Sequence, residues 1–490
     1  MNKTTARTVG GLKKAGYKPR SVKEEIKSNL IARLTEKKAV FPGIMGYQET
    51  VIPEVEKALL ARHNILFLGL RGQAKTRIAR KIGDFLDPAI PVIKGSEIND
   101  DPLNPISAWG KEQLEKHGDK TPIEWKSPKD RYVEKLATPD VSVSDLIGDL
   151  DPIKAVNLKL SYSDERAIHY GLVPRSHRGI FVINELPDLQ PRIQVALFNI
   201  LEEGDVQIRG FKFRIPLDIL FVFTANPEDY TNRGSIITPL KDRIESQITT
   251  HYPNDIDISK AITKQEARPD PETVKRVHMP EAAEDLLELI AFQARESEYI
   301  DHSSGVSARM TIAARELLYS TAERRMLLNS EKKTTIRFSD FWSIIPAITG
   351  KVELLYEGEQ KGPHVVAMEI IGEALRELFL EYFPDPNEKV KQGEKDIYNT
   401  IKAWFEGKNT VELINDEADK LRWEKLDKIP GMDKITETQN INPADLHFFK
   451  EFVLHSLAEF ELISKDILTN KHLFKDPLAG MLDDLDEDDF

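Results

Sequence analysis

A glycine-containing segment with a lysine and a threonine carries the strongest chemical signal in this sequence. Residues 69–76 read GLRGQAKT, directly after the apolar run Ile65–Leu68 and before the helical pattern Arg77–Phe85. In such a loop, backbone N–H groups point at phosphates, the lysine reaches the outer phosphates and the threonine hydroxyl binds magnesium. Because alanine replaces the usual glycine before the lysine, an ordinary strand-to-helix turn is the competing interpretation. The predicted ligands of a nucleoside triphosphate are Gly69, Gly72, Gln73, Ala74, Lys75, Thr76 and Arg77, and Thr76 is also a predicted Mg²⁺ ligand.

Two further apolar runs end in polar side chains suited to phosphate chemistry. Asn184 and Glu185 follow Gly179–Ile183, where a glutamate can polarise the water that attacks a phosphate and both side chains can support magnesium. Asn226 follows Ile219–Thr224, and its amide can hold the attacking water. Taken alone, a strand ending in Asn-Glu and an Asn-Pro turn are ordinary structural features. Their order after the glycine-containing loop favours nucleotide chemistry, with Glu185 as the catalytic base.

The elements that must position these residues follow from apolar runs and helical periodicity. Strands are predicted at Ile65–Leu68, Pro91–Ile93, Gly179–Ile183, Ile219–Thr224 and Gln247–His251, with helices between them. This alternation predicts an α/β fold in which helices cover both faces of a parallel sheet. Two long helices, Val366–Tyr382 and Leu446–Ile467, are predicted near the end of the chain.

The length of 490 residues predicts two or more domains. The divisions expected from composition are a basic N-terminal arm over 1–38, flexible in its first part, and a nucleotide-binding domain over 39–278. They continue with a helical lid over 279–357, an additional α-helical region over 358–482 and an acidic tail over 483–490. Six of the eight tail residues are Asp or Glu, a composition that predicts disorder.

Composition also excludes several classes of function. The absence of cysteine excludes disulfides, thiolate metal sites and cysteine nucleophiles, and makes the cytoplasm the simplest location. No apolar run approaches the length of about 18 residues that a membrane span needs. A net charge of -13 opposes non-specific binding to nucleic acid, since phosphate neutralisation requires an excess of Lys and Arg.

Taken together, these motifs resemble those of AAA+ P-loop ATPases, in particular the MoxR and magnesium-chelatase I-subunit branch. Members of this branch commonly carry a G-x-x-G-x-A-K-T loop, as here with Ala74. Residues 178–185, RGIFVINE, resemble a Walker B motif in which Asn184 stands where the family usually has Asp, and Asn226 resembles sensor 1. Residues 40–49 are similar to a segment that packs near the adenine, which implies adenine contacts for Ile44, Met45 and Gly46, with Tyr47 as an insertion.

The resemblance also gives roles to two arginines and two inserted segments. Residues 239–244, PLKDRI, resemble the segment that delivers an arginine finger to the neighbouring subunit, which implies that role for Arg243. Arg309 resembles the sensor 2 arginine that couples the lid to the nucleotide. A helix-end Asp–Arg pair is the competing interpretation of Arg243. A hairpin around Val206–Ile215 and an insertion over Val133–Val173 are expected where this branch inserts elements able to line a pore.

The function implied by this resemblance is ATP hydrolysis with Mg²⁺ in a homo-oligomeric ring, expected to be hexameric, that remodels or activates a partner protein. In the resembling family that partner often contains a von Willebrand A domain. The nearest alternative is a magnesium-chelatase ATPase subunit acting in porphyrin metallation. A nucleotide-gated scaffold with little hydrolysis is a third, because the neutral Asn184 amide holds magnesium less strongly than a carboxylate. A nucleic-acid motor is disfavoured by the acidic balance and by the lack of interleaved aromatic and basic residues.

Overall fold

The computed structural model of the protein describes residues 6–161, 164–208, 214–227, 234–388, 396–437, 441–468 and 470–477. The chain divides into two units, Met1–His251 and Tyr252–Phe490. The acidic tail over 483–490 lies outside the described residues, so its predicted disorder stays a prediction. Within the described residues, no helix combines the length and the apolar character that crossing a membrane would require.

A five-stranded parallel sheet forms the centre of the first unit. Its strands in chain order are β1 (Ile65–Leu68), β2 (Tyr132–Leu136), β3 (Gly179–Asn184), β4 (Ile219–Ala225) and β5 (Ser246–Thr249). They lie in the order β5-β1-β4-β3-β2, and every neighbouring pair is parallel. Because all five strands run the same way, their carboxyl ends meet at one edge, and the loops after β1, β4 and β3 are neighbours there.

Helices cover both faces of this sheet. Alternate residues of β1 enter two separate hydrophobic cores, with Leu66 in one and Ile65 and Phe67 in the other. Buried, apolar side chains on both faces are what a central parallel strand requires. The predicted α/β fold class is therefore confirmed. The helices of this unit are Val9–Lys14, Val22–Thr35, Val51–Ala61, Lys75–Ile82, Ala108–His117, Pro128–Arg131, Val143–Leu146, Pro152–Asn157, Leu172–Arg175, Pro191–Ala196, Phe198–Glu202 and Thr238–Asp242, with 3₁₀ turns at Gly83–Phe85, Gly118–Lys120, Glu165–Ala167 and Leu186–Asp188.

One predicted strand lies outside the central sheet, and one strand of that sheet was not predicted. The apolar run at 91–93 forms the strand Ile90–Ile93, which pairs antiparallel with Ile123–Lys126 instead of joining the sheet. The place next to β3 is taken by β2, in which Glu134 and Lys135 interrupt the apolar residues; its first four residues are half-buried and Leu136 is exposed. Such an edge strand needs no continuous apolar run, so the apolar-run criterion overlooked it. This strand also includes Val133–Leu136, which was expected to belong to an insertion.

The N-terminal segment is folded from residue 6 onward, in contrast to the flexible arm expected from its charge. The helix Val22–Thr35 begins with a capping box between Ser21 and Glu24. Val22, Ile26 and Leu30 recur every four residues and are buried in the core that also holds Phe67 of β1. A count of charges does not reveal this apolar stripe, because basic residues occupy the remaining faces of the helix.

Several short paired segments complete the first unit. Asp205–Val206 pairs antiparallel with Ile215–Pro216, which supports the predicted hairpin, although residues 209–213 lie outside the described residues. Gly148–Leu150 pairs antiparallel with Ile168–Tyr170, within the segment where an inserted element was expected. The pore-lining role of both elements stays a prediction.

The second unit is mainly helical and has one hydrophobic core. That core runs from Val277 to Phe474, so the predicted lid and C-terminal region pack together as a single unit. The helix predicted at Val366–Tyr382 is confirmed as Pro363–Tyr382. The other helices are Ile256–Glu266, Pro271–Arg276, Glu281–Glu296, Arg309–Leu328, Ile345–Thr349, Tyr356–Lys361, Asn399–Glu406, Asp419–Leu426, Met432–Glu437 and Leu446–Glu459, with a 3₁₀ segment at Phe338–Ile344.

The end of the chain adds strands that were not predicted from the sequence. The helix expected over 446–467 ends at Glu459, and Glu461 adopts a positive φ of 61°, which reverses the chain. The strand Ser464–Leu468 follows and forms a three-stranded antiparallel sheet with Lys471–Lys475 and Val411–Ile414. A further two-residue parallel pair joins Val277–His278 to Thr334–Thr335. The prediction of an uninterrupted helix was wrong, because apolar content alone does not reveal a left-handed residue.

Candidate nucleotide-binding site

The glycine-containing loop connects β1 to the helix Lys75–Ile82 in the way a phosphate-binding loop requires. Gly72 has a φ of 77°, and Ala74, directly before the helix, has a φ of 56°. A Cβ added at Gly69 would lie 2.0 Å from the Thr250 hydroxyl and 2.3 Å from the Gln73 amide oxygen, so this position is closed to larger residues. The Thr250 hydroxyl donates to that same Gln73 oxygen at 2.8 Å. This contact therefore holds the loop against the end of β5.

The Lys75 side chain is buried inside this loop. Its ammonium donates to the backbone carbonyls of Gly69 and Leu70, the latter at 2.8 Å, and to Asn226 Oδ1 at 2.6 Å. Asn226 lies just beyond β4, which is the neighbour of β1 in the sheet. The structure thus brings the predicted lysine and the predicted sensor residue together. An ammonium held by carbonyl and amide oxygens can exchange them for phosphate oxygens, which are stronger acceptors because they are charged.

The Thr76 hydroxyl donates to Asn184 Oδ1 at 3.3 Å, which links the helix after the loop to the end of β3. The same oxygen accepts a hydrogen bond from the Thr224 hydroxyl of β4 at 3.1 Å. Thr76 and Asn184 therefore present two neutral oxygens side by side at the carboxyl edge of the sheet. Oxygen donors of this kind suit Mg²⁺, which binds through few protein ligands and keeps waters and phosphate oxygens in its shell.

Glu185 occupies the first position after β3 and has an unusual backbone. Its φ of 54° and ψ of 52° are left-handed values, which are uncommon for a residue other than glycine. Its backbone N–H donates to the Thr224 hydroxyl at 3.2 Å, so Thr224 connects Glu185 with Asn184. Backbone conformations of this kind cluster at functional sites, where they direct a side chain that a regular strand would orient differently.

The segment before the first sheet strand contacts the loop through Tyr47, which was not among the predicted ligands. The hydroxyl of Tyr47 donates to the Gln73 backbone carbonyl at 3.0 Å and lies 2.7 Å from the His251 carbonyl. Ile44 is buried, whereas Met45 and Gly46 are half-buried. Tyr47 was treated as an insertion because it interrupts the family pattern, and no local signal marked its contact. Its role is to hold the loop from the side of residues 44–46.

A second contact was also not predicted, and it involves a charged side chain of β2. Glu134 Oε1 accepts from the Asn184 amide nitrogen at 2.7 Å. Arg80, on the helix after the loop, forms a bidentate ion pair with the same carboxylate at 2.8 and 2.9 Å. These hydrogen bonds from Arg80 hold the pKa of Glu134 below its ordinary value, against the opposing effect of burial. Glu134 is therefore a carboxylate beside the residue that replaces an aspartate.

The comparisons with known proteins can be set beside this geometry. No family model matches the chain. Over 206 residues, or 41% of the chain, the sequence is 26% identical to the magnesium-chelatase 38 kDa subunit of Cereibacter sphaeroides. Over 201 residues, or 39% of the chain, it is 25% identical to the subunit of the same name in Rhodobacter capsulatus. The matches cover 56% and 50% of these proteins, so the chain spans about half the length of the curated relatives it matches.

Two solved structures also match the chain at low sequence identity. One is a complex between subunits BchI and BchD of magnesium chelatase, which is 18% identical, with 66% of this chain and 98% of that chain covered and a TM-score of 0.33. Another is RuvB of Thermotoga maritima, which is 12% identical, with 63% and 73% covered and a TM-score of 0.35.

The chain has an α/β fold of the kind found in P-loop ATPases, with the glycine-containing loop after β1 and the strand order β5-β1-β4-β3-β2. Four predicted residues, Lys75, Thr76, Asn184 and Asn226, lie together at the carboxyl edge of this sheet, and Glu185 adjoins them through Thr224. Arg77 lies on the first turn of the helix after the loop and is half-buried.

The two predicted arginines belong to different units of the chain. Arg243, at the end of the helix Thr238–Asp242, donates to Glu202 Oε2 at 2.7 Å and packs over the ring of Phe198, with 4.8 Å between guanidinium carbon and ring centre. The carboxylate partner of Arg243 is thus Glu202, and not the adjacent Asp242 that the competing interpretation named. Arg309 belongs to the second unit, where it begins the helix Arg309–Leu328 and is exposed.

His177, which precedes β3, has a structural role. Its Nδ1 accepts a hydrogen bond from the Asp218 backbone N–H at 2.9 Å. Burial lowers the pKa of His177 to about 3, with the nearby Arg178 acting in the same direction. The ring is therefore neutral at physiological pH and fixes the start of β3 to the segment before β4.

Proposed function

We propose that this protein is a MoxR-like AAA+ ATPase that binds ATP with Mg²⁺, hydrolyses it in a homo-oligomeric ring and uses the cycle to remodel or activate a partner protein. The observation that supports it best is the junction of Lys75 with Asn226 and of Thr76 with Asn184 at one edge of the sheet. The loop, the strand ends and the start of the helix each supply a different part of a phosphate site. Because these parts lie together in space, the proposal does not depend on any single motif.

The proposed roles follow from the geometry. Lys75 would exchange its carbonyl partners for the outer phosphates, and Gly69, Gly72, Gln73 and Ala74 would surround those phosphates with backbone N–H groups. Ile44, Met45 and Gly46 would contact the adenine. Magnesium, when bound by Thr76, Asn184 and phosphate oxygens, neutralises charge on the transferred phosphoryl group. Glu185 would take the proton of the attacking water, and Asn226 would orient that water.

The ring is part of the proposal because an arginine finger acts across a subunit boundary. Arg243 would leave Glu202 and contact the neighbouring subunit's nucleotide, and Arg309 would report nucleotide state to the second unit. A hexamer and a partner with a von Willebrand A domain come from the family resemblance, and a cytoplasmic location comes from the absence of cysteine. A purified von Willebrand A protein encoded beside this chain should raise phosphate release if it is the partner.

The test is steady-state phosphate release, measured together with oligomer mass in ATP. Wild type should turn over and assemble, Glu185→Gln should assemble without turnover, and Arg243→Ala should bind ATP but lose turnover. Arg192→Ala, a substitution at an exposed arginine of the same unit, serves as the matched control and should retain activity. If Arg243→Ala turns over like this control, the trans-acting finger is wrong.

Two alternatives have specific observations behind them. The matches to magnesium-chelatase subunits favour an ATPase subunit for porphyrin metallation, which predicts magnesium insertion when partner subunits are added. The neutral Asn184 favours a nucleotide-gated scaffold, which predicts assembly in ATP with negligible phosphate release from wild type. The phosphate-release experiment separates the scaffold from the motor directly.

A further inference from the structure

Asn184 differs from the usual aspartate in symmetry as well as in charge. A carboxylate has two equivalent oxygens, so either orientation presents an acceptor to the Thr76 hydroxyl. An amide has one acceptor and one donor end, and rotation by half a turn would place its NH₂ group against Thr76 and the predicted magnesium site. A cation and its hydroxyl ligand require the oxygen. The function of Asn184 therefore depends on which way the amide is held.

The surroundings of Asn184 select one orientation. On one side, two hydroxyl groups, those of Thr76 and Thr224, donate to Oδ1 at 3.3 and 3.1 Å. On the other side, Glu134 accepts from Nδ2 at 2.7 Å. An ionised carboxylate has no proton to donate, so it can only bind the NH₂ end. The hydroxyls could rotate and accept hydrogen bonds from an inverted amide. The carboxylate could not donate a hydrogen bond to the oxygen of that amide.

The position of Glu134 follows from the register of the sheet. Glu134 pairs with Val182 and Leu136 pairs with Asn184, so Glu134 lies two residues before the strand neighbour of Asn184. In a parallel pair, side chains two residues apart point to the same face, which brings the two polar groups together. The two hydrogen bonds from Arg80 keep the carboxylate in place. Asn184 is buried, with 7% exposed, so water has little access to compete for its amide.

We propose that Glu134 is a positioning residue that holds the Asn184 amide with its oxygen toward Thr76 and the magnesium site. The pair Glu134–Asn184 thereby provides what a single aspartate provides elsewhere: one correctly directed acceptor and one nearby negative charge. This inference rests on the proposed function, since it assumes that Mg²⁺ and ATP bind at Thr76. It predicts that the two residues are interchangeable only as a pair.

Exchange of the two side-chain types is the most direct test. Asn184→Asp alone would place two carboxylates at a separation of 2.7 Å, where they repel and one retains a proton. Glu134→Gln together with Asn184→Asp restores an amide-to-carboxylate hydrogen bond with reversed direction, and leaves the second oxygen of the introduced carboxylate for Thr76. Glu134→Leu removes the acceptor and releases the amide to rotate.

The first measurement is thermal unfolding in EDTA without nucleotide, which reports the contact independently of activity. Asn184→Asp should lower Tm at pH 8, because the two adjacent carboxylates repel each other in the folded state. The swapped double variant should recover most of the loss at pH 8. A double variant no more stable than Asn184→Asp would overturn the contact.

The second measurement is the affinity for a fluorescent ATP analogue, with and without Mg²⁺. Glu134→Leu should weaken Mg²⁺-dependent binding about 2- to 10-fold, the equivalent of one hydrogen bond, while binding in EDTA stays near wild type. The swapped variant should bind with Mg²⁺ at least as tightly as wild type. Glu124→Leu, a substitution at another glutamate on a strand of the same unit, is the matched control and should not change the Mg²⁺ response.

The outcomes separate this inference from the proposed function. If wild type binds Mg²⁺ and ATP but Glu134→Leu loses nothing beyond the Glu124→Leu control, the positioning role is wrong and the ATPase proposal stands. If wild type binds no ATP analogue in any condition, the proposed function fails, and the magnesium role of Glu134 fails with it. In that case the EDTA unfolding series still decides whether the pair is a structural contact.

Discussion

The buried Lys75 of the first unit and the buried Arg422 of the second unit have different kinds of partner. In the first unit, the buried Lys75 ammonium donates to two backbone carbonyls and to the amide oxygen of Asn226. In the second unit, buried arginines bind carboxylates directly, as Arg422 does with Glu451 at 2.5 Å, both side chains being 1% exposed. A lysine whose partners are neutral acceptors keeps its net charge and can bind phosphate, whereas the charges of a buried ion pair already neutralise each other. A buried cation with neutral partners thus indicates a ligand site, whereas a buried ion pair indicates internal structure, as Arg131 and Glu25 also show in the first unit.

The network in the second unit joins its helices to its small sheet. Arg422 also donates to the Ser339 hydroxyl at 2.7 Å and to the Ile414 carbonyl at 3.1 Å. Burial alone would raise the pKa of Glu451, but the charge and hydrogen bond of Arg422 lower it to about 2. The stability that Glu451 contributes is therefore present above the unfolded pKa of about 4 and is lost as pH falls toward 2.

The largest expected effect is on this pair. Arg422→Met should cost about 3–5 kcal/mol in the free energy of unfolding, because it leaves the Glu451 carboxylate buried without its counter-charge. Urea unfolding measures this loss. Arg376→Met, which breaks a pair with Glu459 in which the arginine is 40% exposed, is the control and should cost less than about 1 kcal/mol. Equal losses in the two variants would show that burial does not make the Arg422–Glu451 pair more important than an exposed pair.

The next effect concerns Lys75. Lys75→Met should weaken ATP binding about 10- to 100-fold, the equivalent of losing one charge-assisted hydrogen bond to phosphate. It should change the free energy of unfolding far less than Arg422→Met does, since it removes a buried charge and leaves no other buried charge without a partner. Titration with a fluorescent ATP analogue measures the affinity. Lys81→Met on the same helix, where Lys81 pairs with Asp84 near the surface, should bind like wild type.

A third prediction compares the response of the units to acid. His455 and His472 are fully buried, and neither ring has a hydrogen-bond partner among the described residues. Burial lowers the pKa of His472 to about 4 and that of His455 well below its ordinary value. The unfolded chain therefore binds more protons, and stability falls as pH decreases through about 6.5, on the order of 1–2 kcal/mol for His472 by pH 5.

The first unit contains titrating groups of opposite effect. Burial lowers the pKa of His177 to about 3, which also reduces stability in acid, but burial raises the pKa of Asp218 to about 6. The stability linked to Asp218 is present below its unfolded pKa of about 4 and is lost as pH rises through 6. These two terms partly offset each other. Burial raises the pKa of Asp285 and Glu288 in the second unit in the same way, so the expected difference between the units lies in the two buried histidines.

Urea unfolding at pH 7 and pH 5, followed by tryptophan fluorescence, tests this difference. Trp342 lies 5.0 Å from the ring centre of His455 and 4.9 Å from that of His472, so its emission reports on the pair. Replacement of both histidines by leucine should flatten the pH dependence. His364→Leu, at an exposed position of the same unit, should leave it unchanged. A pH response that persists without the two buried histidines would refute their role.

The smallest expected effect lies at the Arg243–Glu202 pair. Glu202→Gln weakens a partly exposed ion pair worth less than about 1 kcal/mol and so makes the guanidinium more available. Phosphate release by the assembled protein should rise, by about threefold at most, and should stay unchanged at dilutions where only monomer is present. A decrease in turnover by the assembled protein would instead show that Glu202 positions Arg243 productively.

How much of the site could be predicted depended on whether its parts are local in sequence. The loop over 69–76 is a continuous segment between a strand and a helix, and its spacing alone indicated its geometry. Asn184 and Asn226 could be placed because each ends an apolar run that is recognisable as a buried strand. Glu134 could not be placed, because β2 is an edge strand of mixed composition. The more apolar run Pro91–Ile93 was predicted as a strand of the sheet instead of β2.

The sequence by itself therefore determined the α/β class, the phosphate-binding loop and the order of the polar strand ends, because these depend on neighbours a few residues apart. Only the tertiary structure decided that Glu134 meets Asn184, that Tyr47 holds the Gln73 carbonyl and that the lid shares a core with the C-terminal region. Those contacts depend on strand register and on packing between distant segments. A one-residue change in register would turn Glu134 to the opposite face, and no local pattern specifies that choice.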